Sequence, residues 1–277
     1  MTELPPPGFD VTIGEYYRQV PEEDRLTHGP FLLEGLRTRQ LIDRFAPPPP
    51  GVVLDIGGAA GAYSYWMAER GYTVHLLDAS PRLIAEARRR STPGATLASS
   101  RVGDARTLPF ADGTADILLL LGPLYHLTDQ ADRALALAEA RRVLKPGGLL
   151  FAAAISRWAS ALDGLARNLL GDPEFAAIVR RDIDEGQHRN PTERLDYFTT
   201  AYFHRPDQIL AEVVDAGFVS SRVYGIEGPG WLLPDVAERM RDPLGRAALL
   251  DVAALVESES SMLGVSAHLL AVGQRMR

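Results

Sequence analysis

Three aspartates stand where an α/β sheet could use them. Asp55 closes the run VVLDI and precedes Gly57, Gly58 and Gly61; Asp78 closes TVHLLD; Asp104 sits in Gly103-Asp104-Ala105. Open α/β sheets bind ligands at the carboxyl ends of their strands, beside the point where strand order reverses. If the three runs are strands, their acids converge on one site. A dinucleotide turn needs G-x-G-x-x-G so that backbone can approach a pyrophosphate at a helix N-terminus. Counted from Gly57, the second and third glycine positions hold Ala59 and Ala62, and Asp55 would set a negative charge beside the phosphates.

The elements that must position these residues can be read from the apolar pattern. Residues 31–45 place Phe31, Leu32, Leu36, Leu41, Ile42 and Phe45 near helical spacing, with Arg37 and Arg39 on a solvated face, and Pro47 to Pro50 stop the helix. From Gly51 the chain alternates strand and helix: strand 52–56, helix 62–70 closed by Gly71, strand 73–78, then a helix capped by Ser80 with Pro81 in its first turn. Strands follow near 96–103 and 116–122, a helix at 131–144, and the strand LLFAAAIS. Runs such as ILLLL, apolar without alternation, require burial on both faces by flanking helices. After Ser156 the alternation breaks into two helices, a charged run and the aromatic segment YFTTAYFH; a helix and strands at 219–227 and 267–272 then complete the chain. The expected fold is a Rossmann-like, doubly wound, mostly parallel sheet flanked by helices. Residues 1–46 form an N-terminal helical cap, 51–156 and 206–277 the core, and 157–205 a helical insertion acting as a lid.

At this point the chain resembles the class I S-adenosylmethionine-dependent methyltransferases, whose first motif is D-x-G-x-G-x-G with an acid at the end of strand two. Only the middle glycine departs, as Ala59. Further matches follow in order: Gly103-Asp104-Ala105, Leu108-Pro109-Phe110, Asp116, Gly122-Pro123-Leu124-Tyr125-His126-Leu127, and Arg142-Val143-Leu144-Lys145-Pro146-Gly147-Gly148. The resemblance spans residues 51–156 and implies S-adenosyl-L-methionine as cofactor. It implies that Asp78 accepts both ribose hydroxyls, that Asp104 accepts the adenine amino group while the Ala105 N–H meets the ring edge, and that Asp55 and Gly57 meet the amino-acid end. Gly58 and Gly61 would allow close backbone approach, and Ala79, Leu121 and Tyr17 would add cofactor contacts.

Methyl transfer from a sulfonium asks the protein mainly to align, to desolvate and, where needed, to remove a proton. His126, after Tyr125 on the strand-four loop, is the candidate general base, since a histidine near its ordinary pKa accepts a proton at neutral pH. Tyr125, the polar-aromatic cluster of His188, Tyr202 and His204, and Trp231 are the candidate acceptor contacts. A cap and an insertion point to a small enclosed substrate. The expected reaction is methyl transfer to an oxygen or nitrogen of a small organic metabolite. The alternatives are a carbon of a quinone- or isoprenoid-like acceptor, a non-catalytic S-adenosylmethionine-binding regulator, and an NAD-dependent oxidoreductase.

Composition closes other routes. The 277 residues are 46% hydrophobic and 23% charged with a formal charge of −7, which disfavours disorder and a nucleic-acid partner. The absence of cysteine excludes thiolate nucleophiles, disulfides and thiolate metal sites. Asp182, Asp184 and Glu185 lack a histidine at ligand spacing, and no metal is expected. Gly264-Val265-Ser266-Ala267-His268 misses the last glycine of a nucleophile elbow and precedes a strand. With no leader pattern and no apolar run of about 18 residues, the protein reads as cytoplasmic, without membrane contact, and a monomer or homodimer.

Overall fold

The computed structural model describes residues 4–277. Strands β1 (Val52–Ile56), β2 (Thr73–Asp78), β3 (Ser99–Val102), β4 (Ala115–Leu120) and β5 (Leu144–Ser156) pair in parallel in the order β3-β2-β1-β4-β5. Strand β9 (His268–Arg275) runs antiparallel to β5, and β8 (Phe218–Gly225) runs antiparallel to β9 at the edge. This is the expected Rossmann-like sheet. Strand order reverses between β1 and β4, so the ligand crevice lies above Asp55 and Leu120.

The ILLLL run has the environment its composition demands. Ile117 and Leu119 join one buried cluster with Val53, Val74 and Phe151; Leu118 and Leu120 join another with Leu54, Ile56 and Leu150. Alternate residues face opposite sides of a strand, so each side of the sheet receives its own core. The helix Leu32–Phe45 is part of this packing: Leu41 and Ile42 lie fully buried against the Val53–Phe151 side, worth about 1.5–3 kcal/mol each. Arg37 on the same helix is 1% exposed and bonded to Glu257 and the Ile226 carbonyl, which replaces the solvated position its spacing suggested.

The 157–205 segment contains the two expected helices, Ala159–Ala166 and Pro173–Glu185. Its aromatic stretch does more than was read from the sequence. It contributes β7 (Ala201–His204), which pairs with β6 (Gln187–His188) and extends the parallel sheet at Ile155 and Ser156 of β5. No helix among the described residues is long and apolar enough to cross a membrane.

Candidate active site

A cavity of about 320 Å³ opens at the carboxyl ends of the central strands, within the usual range for small-ligand sites. Its lining comes from the loops after β1, β2, β3 and β4 and from the N-terminal residues 8–38.

The first loop is shaped for backbone approach. Gly57 has φ +72°, and a Cβ there would stand 2.5 Å from the ring carbons of Pro123; one on Gly58 would stand 2.4 Å from Asp55 Oδ2. No side chain fits at either position, so the loop leaves the cavity open against main chain. Ala59 takes the left-handed φ of +50°, a conformation that costs an L-residue roughly 1–2 kcal/mol. Its N–H donates to Asp78 Oδ2 at 2.8 Å, which helps hold the turn without the family glycine.

Asp78 reaches the cavity with Oδ2 accepting from Ala59 and Oδ1 accepting from Ser80 N at 2.8 Å. Each oxygen keeps a further lone pair. Burial pushes this carboxyl up to about 6, against the pull of the two N–H donors, and the charge of Glu22 adds to the rise. Asp55 lies beneath the loop, fully buried. Its Oδ2 accepts from Ser64 Oγ at 2.6 Å while Oδ1 has no partner among the described residues, and burial raises it too to about 6. Asp104 is gripped by Arg106 through Nη2 at 2.6 Å, Nε at 3.0 Å and the backbone N–H at 2.8 Å. Arg106 also reaches Asp132 at 2.7 Å. Burial alone would raise Asp104, but the guanidinium outweighs it and holds the carboxyl below its ordinary value.

On the β4 loop, Tyr17 and His126 meet at 2.8 Å between Oη and Nε2, and His126 Nδ1 lies 3.1 Å from the Thr200 carbonyl. A carbonyl only accepts, so Nδ1 carries the proton and Nε2 accepts from the tyrosine. Burial drives the imidazole down to about 4. His126 is therefore neutral at physiological pH with both nitrogens engaged, and it is not the free, near-neutral base that its place in the sequence suggested.

Away from the three aspartates the lining is ionic. Arg25 gives Nη1 and Nη2 to the two oxygens of Glu34 at 2.5 and 3.0 Å and Nε to Glu22 at 2.9 Å. His268 Nδ1 lies 2.5 Å from Glu227 and 3.8 Å from Glu34. Burial opposes charge on this ring, but the two carboxylates outweigh it and raise His268 to about 9, so the imidazolium is the cation between them.

The structure thus brings Asp78, Ala79, Asp104, Ala105, Gly57, Gly58, Leu121, Tyr17, Tyr125 and His126 to one cavity. Asp55 and Gly61 shape its loop from outside the lining. Four expected acceptor contacts lie elsewhere. His188, 2% exposed, is held by Asp182 at 2.9 Å and the Tyr197 carbonyl at 2.8 Å. Tyr202 carries Arg133 3.9 Å above its ring, and His204 is buried beside Glu212. Trp231 donates to the Val265 carbonyl at 2.8 Å. The insertion contributes nothing to the lining and braces it from behind through the Thr200 carbonyl. The N-terminal segment closes the cavity instead. Sequence reasoning missed Glu22, Arg25, Glu34 and His268: Glu22 and Arg25 are three residues apart, but nothing local ties them to His268.

Comparison with known proteins gives the family. Residues 54–152 match the family described as Methyltransferase domain. A ubiquinone/menaquinone biosynthesis C-methyltransferase UbiE from Cereibacter sphaeroides is 30% identical over 200 residues, covering 62% of this chain and 78% of that protein. A demethylmenaquinone methyltransferase from Beutenbergia cavernae is 31% identical over 181 residues, covering 64% and 68%. A crystal structure of an S-adenosylmethionine dependent methyltransferase from Mesorhizobium loti superposes with a TM-score of 0.59 at 17% identity, covering 88% of this chain and all of the other.

Proposed function

The chain belongs to the class I S-adenosylmethionine-dependent methyltransferases, and from that premise we propose that it methylates a nitrogen or oxygen of a small polar molecule enclosed by the N-terminal cap. S-adenosylmethionine is the cofactor and supplies a methyl group on a sulfonium that is its own leaving group. The residues fit it: Asp78 offers two acceptor oxygens to a ribose diol, the Gly57–Gly58 turn gives side-chain-free backbone, and Asp104 with Ala105, in the same cavity, would take the adenine. The chain's own tasks are to hold the acceptor in line and to exclude water.

The observation that carries this reading is the ionic wall of Glu22, Arg25, Glu34 and His268. Burying such groups is costly, and a polar acceptor makes use of them, whereas a polyprenyl tail would seek an apolar channel. A second reading, methylation of a quinone-type carbon, is favoured by what the relatives from Cereibacter and Beutenbergia are named for. Incubation with methyl-deuterated S-adenosylmethionine and fractionated metabolites, followed by mass spectrometry, separates the two. Label on a nitrogen or oxygen of a polar molecule supports the first, and label on a quinol carbon overturns it.

In this scheme His126 positions Tyr17 and takes no substrate proton. His126→Asn should weaken cofactor and acceptor binding about 5- to 10-fold, the loss of one hydrogen bond of about 1–1.5 kcal/mol, and leave the acid limb of the pH–rate profile in place. A limb near pH 6.5 that vanishes in the variant would return His126 to the role of base. Cofactor affinity itself should fall below about pH 6, because a protonated Asp78 gives up acceptor capacity and its pKa stands at about 6. Titration calorimetry between pH 5 and 8 checks this; a flat profile contradicts it.

A further inference from the structure

We propose that Glu22 is the specificity-determining residue of the acceptor site and that the acceptor it selects is an amine. The inference rests on the nitrogen-or-oxygen reading above and narrows it.

The first observation is the charge of the cavity. Eight carboxylates line it, against Arg25, Arg106 and the imidazoles of His126 and His268, and His126 is neutral. Half of these acids are committed to arginines: Asp104 and Asp132 share Arg106, Glu23 is paired with Arg82, and Glu34 takes two N–H groups of Arg25. The cofactor brings one net positive charge, so a negative potential remains for the second substrate. Walls of low dielectric sharpen such a potential.

The second observation is the position of Glu22. It accepts one hydrogen bond, from Arg25 Nε to Oε1, and Oε2 has no partner among the described residues. It lines the same cavity as Asp78, Tyr17 and Tyr125, and its charge adds to the rise of all three. The rings of Tyr17 and Tyr125 line the same space, and aromatic faces attract cations. One free carboxylate oxygen among aromatic rings is a receptor for an ammonium group and a poor one for a carboxylate or a phenolate.

The chemistry balances. An acceptor entering as R–NH₃⁺ gives one proton to Glu22, and burial makes that carboxyl more basic than an exposed one. The freed nitrogen lone pair forms the N–CH₃ bond as the S–CH₃ bond breaks, and the sulfur keeps the bonding pair as a neutral thioether. The product is R–NH₂CH₃⁺, and the proton on Glu22 passes to water as the cavity opens.

The test uses the protein saturated with S-adenosylhomocysteine and two probes matched in shape, benzylamine and benzyl alcohol, titrated calorimetrically at pH 7.5. The expected result is at least a tenfold preference for the amine, lost in Glu22→Gln while S-adenosylhomocysteine affinity changes less than threefold. Equal affinity of the two probes, including none for either, overturns the proposal, as does a preference that survives Glu22→Gln. The labelled-methyl experiment keeps the two readings apart: label on an oxygen sinks the amine and leaves the broader reading standing, and label on a quinol carbon sinks both.

Discussion

Asp78→Ala should weaken S-adenosylmethionine binding by about 3–4 kcal/mol, roughly 100- to 1,000-fold, and bring turnover down with it at fixed cofactor. The size follows from two losses at once. The variant removes the charged acceptor offered to the ribose hydroxyls, and it orphans the N–H groups of Ala59 and Ser80 that the carboxylate now holds at 2.8 Å. Asp78→Asn separates them: its one carbonyl oxygen can serve Ser80 or Ala59 but turns an N–H toward the other, so it should fall between wild type and alanine. The same carboxyl gives stability a pH signature. Its folded pKa of about 6 lies above the ordinary 3.8, so the native state holds more protons and the group's contribution falls as pH rises between those values. Cofactor binding offsets that loss, so the thermal shift on adding S-adenosylmethionine should grow from pH 5 to pH 7.5. Unchanged affinity in the alanine variant by calorimetry would remove Asp78 from the cofactor site.

What the sequence disclosed and what it hid divide along a physical line. Glycine turns, strand ends and buried runs are local, so Asp55-Ile56-Gly57-Gly58, Asp78 and the ILLLL strand could be placed from spacing alone. Of the ionic wall only Glu22–Arg25 is a near neighbour in sequence; the pairing that brings in His268 is not. Glu34 and His268 lie 3.8 Å apart across most of the chain, and Arg37 is buried because Glu257 reaches it from 220 positions away. Helical and strand periodicity describe neighbours three, four or two residues apart and cannot see either pairing. The insertion hides its contacts for a related reason. A cluster of His188, Tyr202 and His204 has the composition of a site, but His188 is held within the insertion while Tyr202 and His204 turn to Arg133 and Glu212 of the core, and composition does not say which way a side chain turns. His126 lines the cavity as its loop position suggests, but burial holds its pKa at about 4 against the Thr200 carbonyl and Asp10, and Tyr17, 109 positions away, occupies its Nε2.

The insertion packs Tyr202 and His204 against a buried ion pair of the core, Arg133–Glu212, and breaking that pair should cost more stability than any other change of a polar side chain considered for this protein. Arg133, 2% exposed, gives Nε and Nη2 to Glu212 at 2.8–3.0 Å and Nη1 to the carbonyls of Leu127 and Thr128 at 3.0 and 3.1 Å, with the Tyr202 ring stacked on the guanidinium. Glu212 also faces His204 Nε2 at 3.3 Å. Glu212→Ala leaves a buried guanidinium without its counter-charge, which costs about 3–5 kcal/mol when one partner of a buried pair is removed. At roughly 2–4 °C per kcal/mol for a chain of this size, melting should fall by about 6–20 °C. Burial opposes ionisation of Glu212, but His204 and Arg133 outweigh it and hold the carboxyl at about 2, below its ordinary 4.5. The stability this pair contributes is therefore complete above about pH 4.5 and lost as pH falls toward 2. Wild type should lose that increment across the window, and the variant, having none to lose, should show a flatter acid profile. Because Leu127 and Thr128 continue directly from His126, the variant should also loosen the loop that holds Tyr17 and raise the acceptor KM even well below its melting point. A Glu212→Ala protein that melts within 2 °C of wild type and keeps its acid profile would show that the Arg133–Glu212 pair adds no net stability.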